Sequence, residues 1–167
     1  MTASRRGREM RIREFLAAPP FCRRNVPDDE IRLFDIALTH DSYANEEASR
    51  DKRTKSYERL EFLGDAVMEL MVCEHIYSSA EGMSEGAMTE LKNSIVSNRN
   101  MSVRVITSGI DIDGALSVGE GHKERRTGNN VIEENMRADA FEAVLGAVYL
   151  LYGTDEARRI VHEVFLK

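Results

Sequence analysis

The sequence predicts an all-α fold on three observations. Apolar residues recur at steps of three and four over most of the chain. Almost no segment alternates apolar and polar residues with the period of two that a half-buried strand needs. The periodic stretches are also bounded by helix start and stop residues, such as Pro27 with Asp28, Asp29 and Glu30 at one end and Gly153 at another. The chain has 167 residues, 42% apolar and 31% charged, which suffices for one domain with a sizeable core and is not a disordered composition.

The elements follow in order. Residues 1–26 carry Arg5, Arg6, Arg8, Arg11, Arg13, Arg23 and Arg24, with Pro19 and Pro20 interrupting any helix between them. This stretch reads as a solvated basic arm, with a phosphate-contacting arm or a dimer contact as the sharper alternatives. A helix starts at Pro27, turns Ile31, Phe34, Ala37 and Leu38 inward and runs out near LTHDSYAN. His40 reads as a hydrogen-bonded structural histidine, although its ordinary pKa also suits acid or base work. Asn45 to Ser56 is a polar loop or frayed helix end in which Arg50, Lys52, Arg53 and Lys55 cluster, either to contact phosphate or merely to be solvated.

The next helix runs from about Ser56 to Ile76 or Tyr77 and contains YERLEFLGDAVMELM. Glu58, Glu61 and Asp65 share one narrow face of it, because residues seven apart return to nearly the same direction. Leu60, Leu63, Val67 and Leu70 form the expected buried seam. Gly64 costs about 1 kcal/mol against alanine in mid-helix, so it calls for a packing reason such as a close backbone. Phe62 lies off the seam and is free to meet a partner surface.

Ser84 is the expected N-cap of a helix with Met88, Leu91, Ile95 and Val96 inward and Lys92 and Asn93 outward. Arg99 to Thr107 is a further helix, and Gly109 to Gly121 a loop with a turn or two. Gly119-Glu120-Gly121 follows no strand, so it is not read as a nucleotide-binding loop. His122 to Arg126 is polar and partly basic. A long helix, roughly Ile132 to Tyr152, has Phe141, Val144, Leu145, Val148 and Leu151 on an apolar face and Ala143, Gly146 and Ala147 as a small-residue strip. Asp139 and Glu142 share one side of it. The last helix, Asp155 to Phe165, turns Ile160, Val161 and Val164 inward and Arg158 and Arg159 outward.

Two helices thus offer E-x-x-E-x-x-x-D and D-x-x-E. Should they pack together, an all-oxygen ligand set results, which selects a hard ion, Mg²⁺ or Mn²⁺, and points to phosphoryl chemistry. Spacing alone leaves a solvated acidic face equally open. A di-iron bundle would want Glu-x-x-His, and none occurs. Cys22 and Cys73 show no zinc spacing and are expected to be reduced, buried or half-buried thiols. The net charge of −6 argues against a nucleic-acid partner unless metal cancels several acids. No apolar run approaches the roughly 20 residues that cross a bilayer, and the N-terminus lacks the apolar stretch of a signal peptide. A cytoplasmic protein with no membrane partner is expected.

The segment ERLEFLGDAV closely resembles the signature helix of ribonuclease III, the double-stranded-RNA endonuclease. ALTHDSYANE, SEGAMTELKNSIVSN and ADAFEAVLGAVYL are similar to other blocks of that endonuclease domain, in the same order. The resemblance implies a ribonuclease III-like helical bundle over 27–167, preceded by the basic arm of 1–26. It implies that Glu61, Asp65, Asp139 and Glu142 bind Mg²⁺ and catalyse, that Glu58 and Glu85 line the RNA valley, and that Phe62 enters the partner subunit. It further implies a homodimer that cuts opposite strands of double-stranded RNA, leaving 5′-phosphates and a short 3′ overhang. The alternative is a non-cleaving RNA-binding or assembly subunit of the same fold. The chain resembles a form without the C-terminal double-stranded-RNA-binding domain, for which an accessory RNA-binding protein is a plausible partner. Three positions depart from the family pattern. Tyr57 stands where asparagine is usual, Arg137 where leucine is usual, and Asn98 where glutamate is common.

Overall fold

The computed structural model describes residues 3–48 and 54–167, with side chains from Arg6 onward. Arg50, Lys52 and Arg53 of the expected basic cluster, and the Arg5 side chain, lie outside the described residues. Within them the chain forms α1 (Ala3–Ala17), α2 (Asp28–Ala37), α3 (Asp41–Ala48), α4 (Glu58–Ser79), α5 (Glu85–Ile95), α6 (Asn98–Thr107), α7 (Ile112–Ala115), α8 (Glu134–Tyr152) and α9 (Thr154–Phe165). A single 3-10 turn covers Glu120–His122, and the described residues contain no strand, only isolated bridges at Thr39–Ser117 and Lys123–Asn130. The all-α expectation holds. No described helix is long and apolar enough to cross a membrane.

Helices α4 and α8 form the axis of the bundle, and glycine is what lets them meet. A Cβ on Gly64 would sit 1.7 Å from the carbonyl oxygen of Glu142, and one on Gly146 would sit 2.4 Å from that of Leu60. The two backbones therefore touch where the small strip Ala143, Gly146 and Ala147 crosses α4, all three residues being buried. The same crossing fixes the heights of the acids on both helices. Around it Phe141, Val144, Leu145 and Val148 join Val67, Met68, Met71 and Val72 in the core. Gly153, at φ 82°, ends α8 in a conformation that favours glycine.

Four features differ from expectation. The first is the basic arm, which is built into the fold. Helix α1 buries Ile12, Phe15 and Leu16, and Arg8 pairs with Asp35 at 2.6 Å and lies over the Tyr43 ring. Ile12, Phe15 and Leu16 stand at steps of three and four, a stripe that the surrounding arginines obscure.

The second is the seam of α4. At about 100° per residue, Gly64, Met68 and Met71 fall on one side of Leu60 while Leu63 and Leu70 fall on the other. The buried side is Leu60, Gly64, Val67, Met68, Met71 and Val72, and Leu70 is exposed. The third is α5, which has no buried residue. Its Leu91 is exposed, and Lys92 turns back to α4, where it meets Glu69 at 2.7 Å. The fourth is the cysteines, both of which are exposed.

The helix begun at Pro27 ends at Ala37, where LTHDSYAN begins, as expected. Leu38, Thr39 and His40 spend their backbone groups on Ser117 and Tyr57, through His40 N–H to Ser117 O (3.0 Å), Ser117 N–H to Leu38 O (2.9 Å) and Tyr57 N–H to Thr39 O (2.9 Å). The chain resumes as α3, placing His40 beside the start of α4.

Candidate metal centre

Glu61 on α4 and Asp139 and Glu142 on α8 each offer a carboxylate oxygen, and these oxygens lie within 4.8 Å of one another. The α4–α8 crossing explains the convergence, since Gly64 rests directly on the Glu142 backbone one turn from Glu61. Glu142 is buried at 7% exposure, while Glu61 and Asp139 are half-buried. No described ion pair neutralises any of the three.

Their protonation records the strain of that grouping. Burial, then the charges of Asp65, Asp139, Glu61 and Glu69, push Glu142 up to about 8. Burial, then Asp139, Glu58 and Asp65, push Glu61 up to about 7. Burial raises Asp139. Carboxylates so crowded either take up protons or take up a cation. The donor set, oxygen only and with one member already desolvated, fits a hard divalent ion.

The other expected site residues sit around this trio. Asp65, one turn further along α4, is exposed and outside the group of converging oxygens, yet its charge reaches both Glu61 and Glu142. Its own pKa is raised by burial and by Glu69 and lowered by Lys92. Glu58 is exposed, accepts from Ser56 Oγ at 2.7 Å and adds charge at Glu61. Glu85, exposed at the start of α5, accepts from Thr89 Oγ1 at 3.1 Å and is not in the group. Phe62 is 82% exposed, pointing away from the core.

Four residues stand around the site that the sequence reading did not assign to it. Tyr57 is buried against it, and its hydroxyl pKa is raised by burial and then by Asp139 and Glu61. His40 packs edge-on to Tyr57 at 5.6 Å and to His122 at 5.2 Å, with its Nδ1 2.7 Å from Ser42 Oγ. Burial lowers the His40 pKa, with Asp41 acting against it. His122 arrives from a remote loop, so no local pattern could place it. Lys92 did leave a signal, since it stands four residues after Met88 on the face that meets α4.

An all-helical protein that brings carboxylates from two crossing helices to one point offers an oxygen-only set that could hold a metal ion. The Ribonuclease-III-like family model matches residues 30–167, and the chain belongs to the ribonuclease III family. It is 38% identical over 140 residues to Ribonuclease 3 of Ligilactobacillus salivarius, covering 84% of this chain and 58% of that protein. It is 43% identical over 123 residues to Ribonuclease 3 of Oceanobacillus iheyensis, covering 74% of this chain and 51% of that one. The chain thus spans little more than half the length of these relatives. Its fold is shared with the nuclease domain of ribonuclease III from Campylobacter jejuni, at a TM-score of 0.69 and 24% identity, covering 94% of this chain and 98% of that one.

Proposed function

We propose that the chain is a Mg²⁺-dependent endonuclease domain that hydrolyses double-stranded RNA, with Mn²⁺ able to substitute. The observation that carries this reading is the convergence of Glu61, Asp139 and Glu142 at the α4–α8 crossing, on the family's own sequence blocks. These three, with Asp65 as the fourth acid, would hold the ion. A bound Mg²⁺ supplies positive charge that makes water a better nucleophile and offsets charge on the phosphate. The acids orient the water opposite the 3′ oxygen, whose bond to phosphorus breaks to leave a 5′-phosphate and a 3′-hydroxyl. Glu58 and Glu85 then lie along the RNA path, and an accessory RNA-binding protein would add affinity. With end-labelled duplex RNA, cleavage is expected in Mg²⁺, none in EDTA, and a drop of at least about 10³-fold in Glu142→Gln. A duplex left intact in Mg²⁺ refutes the reading, and full activity of Glu142→Gln refutes the residue assignment.

The homodimer would pair through the exposed face of α4, turned away from α8. Phe62 (82% exposed), Leu70 (52%) and Tyr77 (81%) run down one strip together with exposed Ala66 and Cys73. An apolar strip of this length on a helix marks an interface. The Campylobacter jejuni nuclease domain is described as flexible in a region involved in dimer formation. Two copies of this chain would pair through the strip, two sites then facing opposite strands and leaving a short 3′ overhang. Phe62→Ala is expected to weaken dimerisation by about 2 kcal/mol or more, read by sedimentation, with helicity unchanged. A wild-type chain monomeric at all concentrations would sink the strip as an interface.

A further inference from the structure

Arg137 enters α8 two residues before Asp139 and is buried at 8% exposure. Its guanidinium donates to both oxygens of Asp113, at 2.7 and 2.6 Å, to Ser102 Oγ at 2.7 Å and to the Ile132 carbonyl at 3.1 Å. One side chain thereby ties α6, α7 and the segment leading into α8 to the first turn of the catalytic helix. Asn130 adds amide donors to the carbonyls of Asp113 and Leu116, both at 2.9 Å. Leucine, usual here in the family resemblance, would fill the space but hold none of these oxygens. The planar guanidinium fork matches a carboxylate in two bonds at once.

What hangs on these anchors is a short hairpin. Lys123 and Asn130 pair antiparallel, Val131 N–H donates to His122 O at 2.8 Å and Glu124 N–H to Asn129 O at 2.9 Å, with Gly128 at φ 71° in the turn. At its tip Arg125 and Arg126 are exposed and form no ion pair among the described residues, whereas Lys123 is paired with Glu120 at 2.5 Å. At its foot His122 faces His40, which meets Tyr57, which lies in the field of Asp139 and Glu61. The foot of the hairpin is therefore linked to the carboxylates through two rings, and its tip carries two cations with no ion pair among the described residues.

We propose that Arg137 and Asp113 are a positioning pair that fixes the 122–131 hairpin so that Arg125 and Arg126 meet the backbone phosphates of the duplex held at the carboxylates. This rests on the proposed function. Asp113 is 47% exposed, so losing Arg137 leaves its carboxylate solvated, and Arg137→Leu keeps an apolar filling, so the fold survives the change.

The test compares the wild-type chain with Arg137→Leu, Asp113→Asn and the double variant Arg125→Ala with Arg126→Ala. Hydrogen exchange by mass spectrometry is expected to show amides of 122–131 exchanging about 10-fold faster in the first two variants, with α4 and α8 unchanged. In both, KM for duplex RNA is expected to rise about 10-fold with kcat within about two-fold. The tip variant is expected to show the same rise in KM, a salt dependence shallower by about two phosphate contacts, and unaltered hairpin exchange. An unchanged hairpin in both clamp variants overturns the proposal, as does a loosened hairpin with unchanged KM. A parallel fall of kcat and melting temperature would reveal a merely structural role and also overturn it. A wild-type chain that does not cut the duplex refutes the proposed function instead, and hairpin exchange then decides the clamp alone.

Discussion

Gly64→Ala is expected to cost at least about 3 kcal/mol of folding stability, measured by urea unfolding, and to abolish divalent-cation binding by whatever remains folded. The added methyl would stand 1.7 Å from the Glu142 carbonyl oxygen and 2.4 Å from its carbonyl carbon, which is backbone and cannot rotate aside. Relief requires α4 and α8 to separate, and separation pulls Glu61 away from Asp139 and Glu142. The sign makes the result diagnostic, because glycine to alanine inside a helix ordinarily gains 0.5 to roughly 1 kcal/mol. Gly86 on α5 provides the control. Nothing lies within 4 Å of a Cβ there, so Gly86→Ala is expected to stabilise or be neutral. A Gly64→Ala protein as stable as the Gly86→Ala protein would show that the two backbones do not meet at this crossing.

Gly64 also marks how far the sequence could be read. A glycine in the middle of a strong helix pattern asks for a close neighbour, and the acids Glu58, Glu61 and Asp65, at steps of three and four from one another, ask for a cation. Both inferences are local and both point at α4. The identity of the neighbour is not local, and only the crossing reveals that it is the Glu142 backbone. The apolar seam was misjudged for a related reason. From Leu60, Leu63, Val67 and Leu70 follow at steps of three, four and three, and Gly64, Met68 and Met71 at steps of four, four and three, so periodicity defines two candidate faces of α4. Packing against α8 selects one, and Phe62, Leu70 and Tyr77 are left on the other.

Helix α1 shows the opposite failure. Ile12, Phe15 and Leu16 had the right spacing but were outvoted by arginines, and Arg8 and Arg13 turn out to be paired with Asp35 and Asp28, at 2.6 Å in each case. The site behaved similarly. The grouping of Glu61, Asp139 and Glu142 was legible as two local patterns of acids, one on each helix, although Asp65 lies outside it. Tyr57, His122 and the Arg137–Asp113 pair were not, because each acquires its role from a segment distant in the chain. Arg137 is the clearest case, since a cation amid an apolar helix pattern is buried here only because Asp113 comes to meet it.

The crowding of carboxylates carries a second large consequence, in the pH dependence of the metal-free fold. In the unfolded chain Glu142 releases its proton near 4.5, whereas in the folded chain it retains it up to about 8. Between those values the folded state binds more protons than the unfolded one, so stability falls as pH rises. For Glu142, 7% exposed, the loss amounts to a few kcal/mol across the window, and Glu61, held up to about 7, acts in the same direction. His40 opposes them at lower pH. Its lowered pKa means the unfolded chain takes up a proton that the folded chain refuses, so its contribution rises with pH until about 6.5 and is then complete. The window from about pH 6.5 to 8 therefore isolates the carboxylates.

In EDTA the melting temperature is expected to drop by about 5 to 10 °C across that window, followed by circular dichroism. Saturating Mg²⁺ should remove most of the drop, because a cation that binds only the folded site adds stability in proportion to its own affinity, which grows as the acids ionise. Glu142→Gln should flatten the profile in EDTA and be more stable than the wild-type chain at pH 8, while no longer responding to Mg²⁺. That pairing of gained stability with lost binding separates a site held together against its own repulsion from an acidic surface that happens to be crowded. On a solvated face, Glu142→Gln would leave the EDTA profile as it was, and a wild-type melting temperature that stayed level from pH 6.5 to 8 would show that the three carboxylates are not crowded in the folded chain.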